Sequence, residues 1–186
     1  IDDDLFAQVD GAERIAFRVE GGRASHLFFD SLPYADFARV QPRDNPWLQA
    51  GIVAATLILC GAVFLFWPLS WLSHRSRVAQ RGETQATLFA VITSIAILGF
   101  AVVIGASAQN PRDAALGLPE EFQQAMWVPI GLAPILLLQL VSTYRAWVGG
   151  WWWVSRRIHY TLLTFAAIVF VAWTFYWHLT AVIVDF

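Results

Sequence analysis

The stretch ATLFAVITSIAILGFAVVIGASA, residues 86–108, contains no charged side chain and decides the fold. Three further stretches share its apolar character: residues 47–67, 122–144 and 160–184. At about 1.5 Å of rise per residue, roughly 20 residues cross a hydrocarbon core of about 30 Å. Uninterrupted apolar runs of this length do not fit the alternating strands of a membrane barrel. The sequence therefore predicts an all-α membrane fold, a bundle of four transmembrane helices at about 47–71, 86–108, 122–146 and 160–184.

The basic residues, all of them arginine, are unevenly distributed among the segments between these helices. Two segments, 73–85 and 145–159, are rich in arginine, and they hold Arg75, Arg77, Arg81, Arg145, Arg156 and Arg157. The intervening segment 109–121 holds one arginine against three acids. By the positive-inside rule, arginine-rich segments face the cytoplasm. We therefore expect a bacterial inner membrane protein with both ends of the chain in the periplasm.

Tryptophans gather near the predicted helix ends, where indole rings settle among lipid headgroups. Arginines at the same ends can extend their side chains to lipid phosphates. The predicted membrane-interface anchors are Trp47, Trp71, Arg75, Arg77, Arg81, Arg145, Trp151, Trp152, Trp153, Arg156 and Arg157. Within this set, the run 149–153 predicts a short interfacial turn.

Small residues recur at the four-residue spacing that lets membrane helices approach closely. The predicted helix-packing positions are Gly51, Ala55, Ala90, Ser94, Ala101 and Gly105. Hydrogen bonds between helices are expected from Thr93, Gln139, Ser142 and Thr164. These patterns favour assembly of the bundle and leave association into a homo-oligomer open.

Residues 1–46 form a separate acidic segment before the transmembrane domain 47–186. Its residues 14–29 predict a β-hairpin, because apolar and polar side chains alternate around a tight Gly21-Gly22 turn. An isolated hairpin is marginal in water, and the chain begins without Met or a signal peptide. We therefore expect the hairpin to end a larger extracytoplasmic domain upstream of Ile1. The alternative is that it packs on the membrane surface or on its own loops.

Candidate chemistry is sparse. Ionisable residues at mid-depth mark pumps, coupled transporters and voltage sensors, and the interiors of the predicted helices contain none. Pro129, Gly131 and Pro134 favour an ordinary kink over a transporter-type break. The chain has no lysine, no Gly-x-Ser-x-Gly motif and no His-Glu-x-x-His motif. We expect no catalytic residue, cofactor, metal site or nucleic-acid partner in this chain.

The histidines keep a second hypothesis open. His74 and His159 lie at the same predicted membrane face, and His178 falls in the outer half of the fourth predicted helix. Paired imidazoles on facing helices bind haem or copper. A stand-alone small membrane protein with a redox or transport role is therefore one alternative function, and an accessory subunit of an envelope complex is another.

The order of the segments carries a resemblance. The hairpin RIAFRVEGGRASHLFF (residues 14–29) is followed by PYADFARV (residues 33–40) and then by four apolar helices. This arrangement resembles the C-terminal membrane tail of bacterial serine hydrolases of the β-lactamase and penicillin-binding protein superfamily (class C). In that family a periplasmic hydrolase domain precedes a small β-rich module and a helical tail. The family's Ser-x-x-Lys, Tyr-x-Asn and Lys-Thr-Gly-like motifs are absent from these residues, so the resemblance implies that catalysis belongs to an upstream domain.

The leading hypothesis is therefore a membrane-anchoring C-terminal domain of a periplasmic β-lactamase-like serine hydrolase. Its expected partners are the lipid bilayer and the upstream periplasmic domain of the same protein.

Overall fold

The computed structural model describes residues 5–7, 14–32, 36–39, 41–73, 82–108 and 119–181. The chain is mostly helical and divides into two compact units, Ile1–Gln49 and Ala50–Phe186. A small antiparallel sheet lies in the first unit. Four helical segments are long and apolar enough to span a membrane.

The sheet has four strands in sequence order: β1 (Leu5–Ala7), β2 (Arg14–Glu20), β3 (Arg23–Phe29) and β4 (Asp36–Ala38). The predicted hairpin is its centre, with Gly21 and Gly22 at φ values of 60° and 77° in the turn. Glycine adopts this left-handed region without a Cβ clash. The sheet is larger than predicted because β1 and β4 pair with the hairpin's outer edges. Strands of three residues are too short for an alternating pattern to reveal them.

Helix α1 (Pro46–Ser73) begins with a well-formed N-terminus. The Asn45 side-chain oxygen accepts the Trp47 backbone N–H at 2.9 Å, and Pro46 occupies the first helical position. Asparagine at the cap and proline just inside it are both favoured, since the proline lacks an N–H that would otherwise need a partner.

Helix α2 (Glu83–Ala108) has nearly the bounds predicted for the second helix, 86–108. The third predicted helix, 122–146, is interrupted. Helix α3 (Glu120–Ala125) ends at a turn through Met126 and Trp127, and α4 (Val128–Val148) follows. Pro129 lies one residue into α4, and a proline inside a helix removes a hydrogen bond and clashes with the carbonyl four residues earlier. The break therefore falls just before this proline, and Pro134 stays inside α4.

Helix α5 (Val154–Tyr176) is shifted toward the N-terminus relative to the predicted span 160–184. Its end is a Schellman motif: the N–H of Leu179 donates to the Thr174 carbonyl, and the N–H of His178 donates to the Phe175 carbonyl. His178 has the positive φ of 52° that this motif requires. Beyond it, the Ala181 N–H donates to the Met126 carbonyl at 3.0 Å, so the chain returns to the turn between α3 and α4.

A single core holds the helices of the second unit together. The backbones of α2, α4 and α5 approach closely, and α1 reaches the same core through the buried side chains Cys60, Val63 and Trp67. Phe100 and Phe170 make an edge-to-face contact with ring centroids 5.6 Å apart. The outward-facing surface of the same helices is apolar, with side chains such as Ile58, Val102 and Phe165 well exposed.

We predict that His178→Gly stabilises the protein and that His178→Val destabilises it. Glycine removes the Cβ strain of the left-handed conformation, which costs an L-residue roughly 1–2 kcal/mol, and a β-branched residue increases it. The midpoint of thermal unfolding in detergent micelles should order Gly above His above Val. Equal midpoints would contradict the assignment of His178 to the helix cap.

Candidate functional site

The Arg156 guanidinium lies between two indole rings. Its central carbon is 4.4 Å from the ring centroid of Trp67 and 4.6 Å from that of Trp152. Its Nη2 donates to the Thr87 hydroxyl at 3.0 Å. A cation over an indole contributes about 0.5–1 kcal/mol when exposed and about 2 kcal/mol when desolvated. Because Trp67 belongs to α1 and Thr87 to α2, this one side chain of α5 joins three helices.

Trp152 is held in an unusual backbone conformation. Its φ is 51°, yet its side chain is buried. A non-glycine residue in this region costs of order 1–3 kcal/mol and persists only where its surroundings enforce it. Here the indole packs 5.2 Å from the Tyr160 ring and 6.1 Å from the Trp67 ring, measured between centroids. This packing, together with the Arg156 contact, offsets the backbone strain.

Trp151 is buried against two glycines. A Cβ at Gly82 would lie 2.6 Å from Cη2 of Trp151, and one at Gly149 would lie 2.8 Å from its Nε1. Gly82 also has a φ of 97°, so both space and backbone conformation require glycine there. The indole therefore ties the residue before α2 to the segment between α4 and α5.

Trp67 and His159 form a hydrogen-bonded pair. The indole Nε1–H donates to Nδ1 of His159 at 3.3 Å. An indole N–H is a donor only, so Nδ1 acts as the acceptor and the proton of the neutral ring sits on Nε2. The Trp67 ring also stacks on Tyr160 with centroids 6.3 Å apart. We call this group of contacts the aromatic–arginine cluster; its members are Trp67, Trp151, Trp152, Arg156, His159 and Tyr160.

A second arginine–indole pair lies beside this cluster. The Arg157 guanidinium carbon is 5.2 Å from the Trp147 ring centroid. The Trp147 Nε1–H donates to the Thr161 hydroxyl at 2.9 Å, and that hydroxyl donates to the Arg157 carbonyl. This pair connects the last turn of α4 to the first turns of α5.

Deeper in the helices, a buried polar network crosses the core. The Thr93 hydroxyl of α2 donates to Gln139 Oε1 at 2.9 Å, and Gln139 Nε2 of α4 donates to the Thr164 hydroxyl of α5 at 3.0 Å. Thr143 lies 3.1 Å from the Thr164 hydroxyl and donates to the Gln139 carbonyl. All four side chains are buried. In hydrocarbon such groups must find partners inside the protein, and here they find them on neighbouring helices.

The predicted interface anchors fall into two groups. Trp151 and Trp152 are buried in protein, and Arg156 and Arg157 contact indoles rather than extending freely outward. Trp47 is 86% exposed, Trp153 is 56% exposed, and Arg145 is exposed in the last turn of α4. For these three, contact with lipid headgroups stays a prediction. Outside the residues whose side chains the structure describes lie Trp71, Arg75, Arg77 and Arg81.

The predicted packing positions also differ among themselves. Ala90 and Ser94 of α2 are buried in the core. Gly51, Ala55 and Gly105 are exposed, and a Cβ at either glycine would meet nothing within 4 Å. Ala101 is half-buried. Among these positions, Ala90 and Ser94 are therefore the two that are buried in the described part of the chain.

The histidines do not come together as a ligand pair among the described residues. His159 faces Trp67, His178 caps α5, and His26 lies on β3. His74 lies outside the described residues. In the part of the chain that the structure describes, no group of three or more His, Cys, Asp or Glu side chains could hold a metal ion. Cys60 is a buried free thiol in α1.

Sequence analysis missed the inward role of Arg156 and the part played by Thr143. The signal for Thr143 was its spacing of four residues from Gln139, which places both on one helix face. The signal for the cluster was the pair Gly149-Gly150, since two glycines before adjacent tryptophans indicate a tight helix end that redirects the chain. Nothing local pairs Arg156 with Trp67, because these residues are far apart in sequence.

Comparisons of the chain with protein-family models, with characterised proteins and with solved structures found no match.

We predict that Arg156→Gln destabilises the helical unit by about 1–3 kcal/mol, because it removes the cation from between two indoles and leaves their packing incomplete. Thermal unfolding in detergent micelles should show a lower midpoint, and near-UV circular dichroism should lose part of its tryptophan signal. The matched control is Arg145→Gln at the exposed end of α4, which should change neither quantity. Equal effects of the two variants would contradict the assigned role of Arg156.

Gln139→Leu should also destabilise the helical unit, by about 0.6–2 kcal/mol, the range measured for side-chain hydrogen bonds in membrane helices. The substitution deprives Thr93 of its acceptor and Thr164 of a donor. Gln124→Leu in α3, where the glutamine is exposed, makes the same chemical change outside the network. A Gln139→Leu protein as stable as the Gln124→Leu protein would show that the network contributes nothing.

Proposed function

We propose that this chain is a membrane-anchoring domain that holds an extracytoplasmic β module and an upstream catalytic domain at the bilayer surface. The observation that carries the proposal is the buried polar network. Its side chains are neutral and hydrogen-bond one another across α2, α4 and α5. Polar groups used in this way favour assembly of the helices, whereas ionisable groups facing a cavity are what mark a proton or ion path.

The proposed orientation follows from the arginines. Arg145, Arg156 and Arg157 lie at the end of α4 and the start of α5. By the positive-inside rule this end faces the cytoplasm. The four candidate spans would then return the chain to the side on which it started. Under the proposal, the sheet and the C-terminus lie in the periplasm of a bacterium.

The nature of the anchored domain rests on the resemblance to membrane-bound serine hydrolases of the β-lactamase and penicillin-binding protein superfamily. The hairpin that carries the resemblance is present, with its turn at Gly21-Gly22 and strands on either side. We propose that a hydrolase domain precedes β1. The catalytic serine would belong to that domain, and the role of this chain would be to hold the domain at the membrane surface.

The mechanism of such an anchor is physical. Each span buries about 20 apolar residues in hydrocarbon, so release into water is prohibitively unfavourable. A tethered domain has a high effective concentration toward partners in the same plane, set by the length of its linker. A rigid helical unit, fixed by the aromatic–arginine cluster and the buried polar network, defines where that linker starts.

Reporter fusions test the orientation. Green fluorescent protein fused after Val148 should fluoresce, because it folds in the cytoplasm, whereas alkaline phosphatase fused after Phe186 should be active, because it needs the oxidising periplasm. Exchanging the two reporters should abolish both signals. The opposite pattern would refute the proposed topology.

The full reading frame tests the hydrolase. We expect a Ser-x-x-Lys motif upstream of Ile1 and covalent labelling of the full-length protein by a fluorophosphonate or fluorescent penicillin. Replacing that serine by alanine should abolish labelling and leave membrane extraction by detergent unchanged. A frame without such a motif, or a motif whose serine does not label, would refute the hydrolase part of the proposal.

A further inference from the structure

The sheet of the first unit has one strongly apolar face. Residues directly opposite one another in an antiparallel pair share a face. The register therefore aligns two rows across the strands, Phe6 with Ile15 and Phe29, and Phe17 with Leu27 and Phe37. Edge-to-face contacts join Phe6 to Phe17 and Phe29 to Phe37, with centroids 5.6 Å and 5.4 Å apart. None of these six side chains is fully buried, and Phe6 and Phe37 are 56% and 46% exposed.

The other face is of mixed polarity. Arg14 and Arg18 lie there on β2, and His26 of β3 is paired with Arg18. Phe28 stacks on the His26 ring with centroids 6.2 Å apart. The sheet is therefore amphipathic, with its phenylalanine pairs concentrated on one side.

Both edges of the hairpin are already paired, so the apolar face is the part of the sheet that is still open to a partner. β1 completes one edge of the hairpin and β4 completes the other. Exposed phenylalanine rows of this kind mark a site of contact with another apolar surface.

The candidate membrane span α1 follows the sheet closely in sequence, so the bilayer is the apolar surface that we consider first. Only seven residues separate the end of β4 at Ala38 from the start of α1 at Pro46. Even fully extended, they reach at most about 25 Å. The first turn of α1, with Trp47 86% exposed, belongs to the same compact unit as the sheet. Since α1 is a candidate span, this short connection keeps the bilayer surface within reach of the sheet.

The shape and charge of the face suit a phospholipid. A groove of about 270 Å³ is lined by Phe17, Leu27 and Phe37 together with the polar residues Ser25, His26 and Arg39. An acyl chain or glycerol backbone can lie against the phenylalanines while a cation meets the phosphate, as at the surface of interfacial membrane proteins.

We propose that the apolar face of the sheet, defined by Phe6, Ile15, Phe17, Leu27, Phe29 and Phe37, lies on the surface of the bilayer that α1 enters. The sheet is then a monotopic element attached to a polytopic one. The inference is independent of the proposed hydrolase, because it concerns only the described residues.

Site-directed spin labelling tests the proposal on the whole chain. Cys60→Ser supplies a background without the native thiol, and a nitroxide is attached to Phe37→Cys on the apolar face or to Arg18→Cys on the opposite face. Phe6→Cys, on the other edge strand, provides a second labelling site on the apolar face in case the label at residue 37 disturbs β4. Each protein is reconstituted at one chain per nanodisc of phosphatidylethanolamine and phosphatidylglycerol. Trp47→Cys serves as a reference near the start of α1.

Power saturation then compares collisions with oxygen, which partitions into lipid, and with a water-soluble nickel chelate. We expect a severalfold higher oxygen-to-nickel ratio at residues 37 and 6 than at residue 18. Equal, water-like ratios on both faces would overturn the proposal. Labels at 37 and 6 that neither reagent reaches would also overturn it and would show a protein covering layer. Neither outcome affects the reporter-fusion result, so failure here is distinguishable from failure of the anchor.

Discussion

Hydrocarbon provides no hydrogen-bond partner, and every polar group that enters it must be satisfied by the protein itself. The helices satisfy their backbones internally. The side chains of Thr93 and Gln139 instead find partners on neighbouring helices, and the Thr164 hydroxyl accepts from Gln139 while it donates to the Tyr160 carbonyl of its own helix. These hydrogen bonds fix the rotation of α2, α4 and α5 about their axes and the register of the three helices along those axes. The apolar side chains around them fill the remaining space without specifying a register, since lipid is as apolar as they are.

The arginine-rich end of the helices is subject to the same constraint, because a charged guanidinium must also find its partners within the protein. Arg156 lies in the first turn of α5, where two indoles cover the faces of its guanidinium and a threonine hydroxyl accepts its N–H. One of these indoles, Trp152, lies in the sharp bend of the chain after α4. Gly150 has a φ of 61° and Trp152 a φ of 51°. The strained bend therefore places the Trp152 indole where it covers the half-buried Arg156 guanidinium.

Sequence reasoning located the apolar helices because length and the absence of charge are local properties. It placed the fourth helix too far toward the C-terminus, since Arg156 and Arg157 were taken to lie outside the membrane helix. The structure includes them because Trp67 and Trp147 supply their partners, and such pairing is invisible to a window along the chain. The expectation that Thr93, Gln139 and Thr164 hydrogen-bond between helices is confirmed, and Ser142 donates to the Leu138 carbonyl of its own helix. Hydrogen-bonding capacity is thus predictable from residue type, and the choice of partner is not.

The contact between Trp67 and His159 joins residues 92 positions apart. During synthesis α1 leaves the ribosome first, yet the indole at its end acquires its imidazole partner only after α5 has been made. The contacts that hold the end of α1 can therefore be completed only after the start of α5 has been synthesised, because Arg156, His159 and Tyr160 all belong to α5.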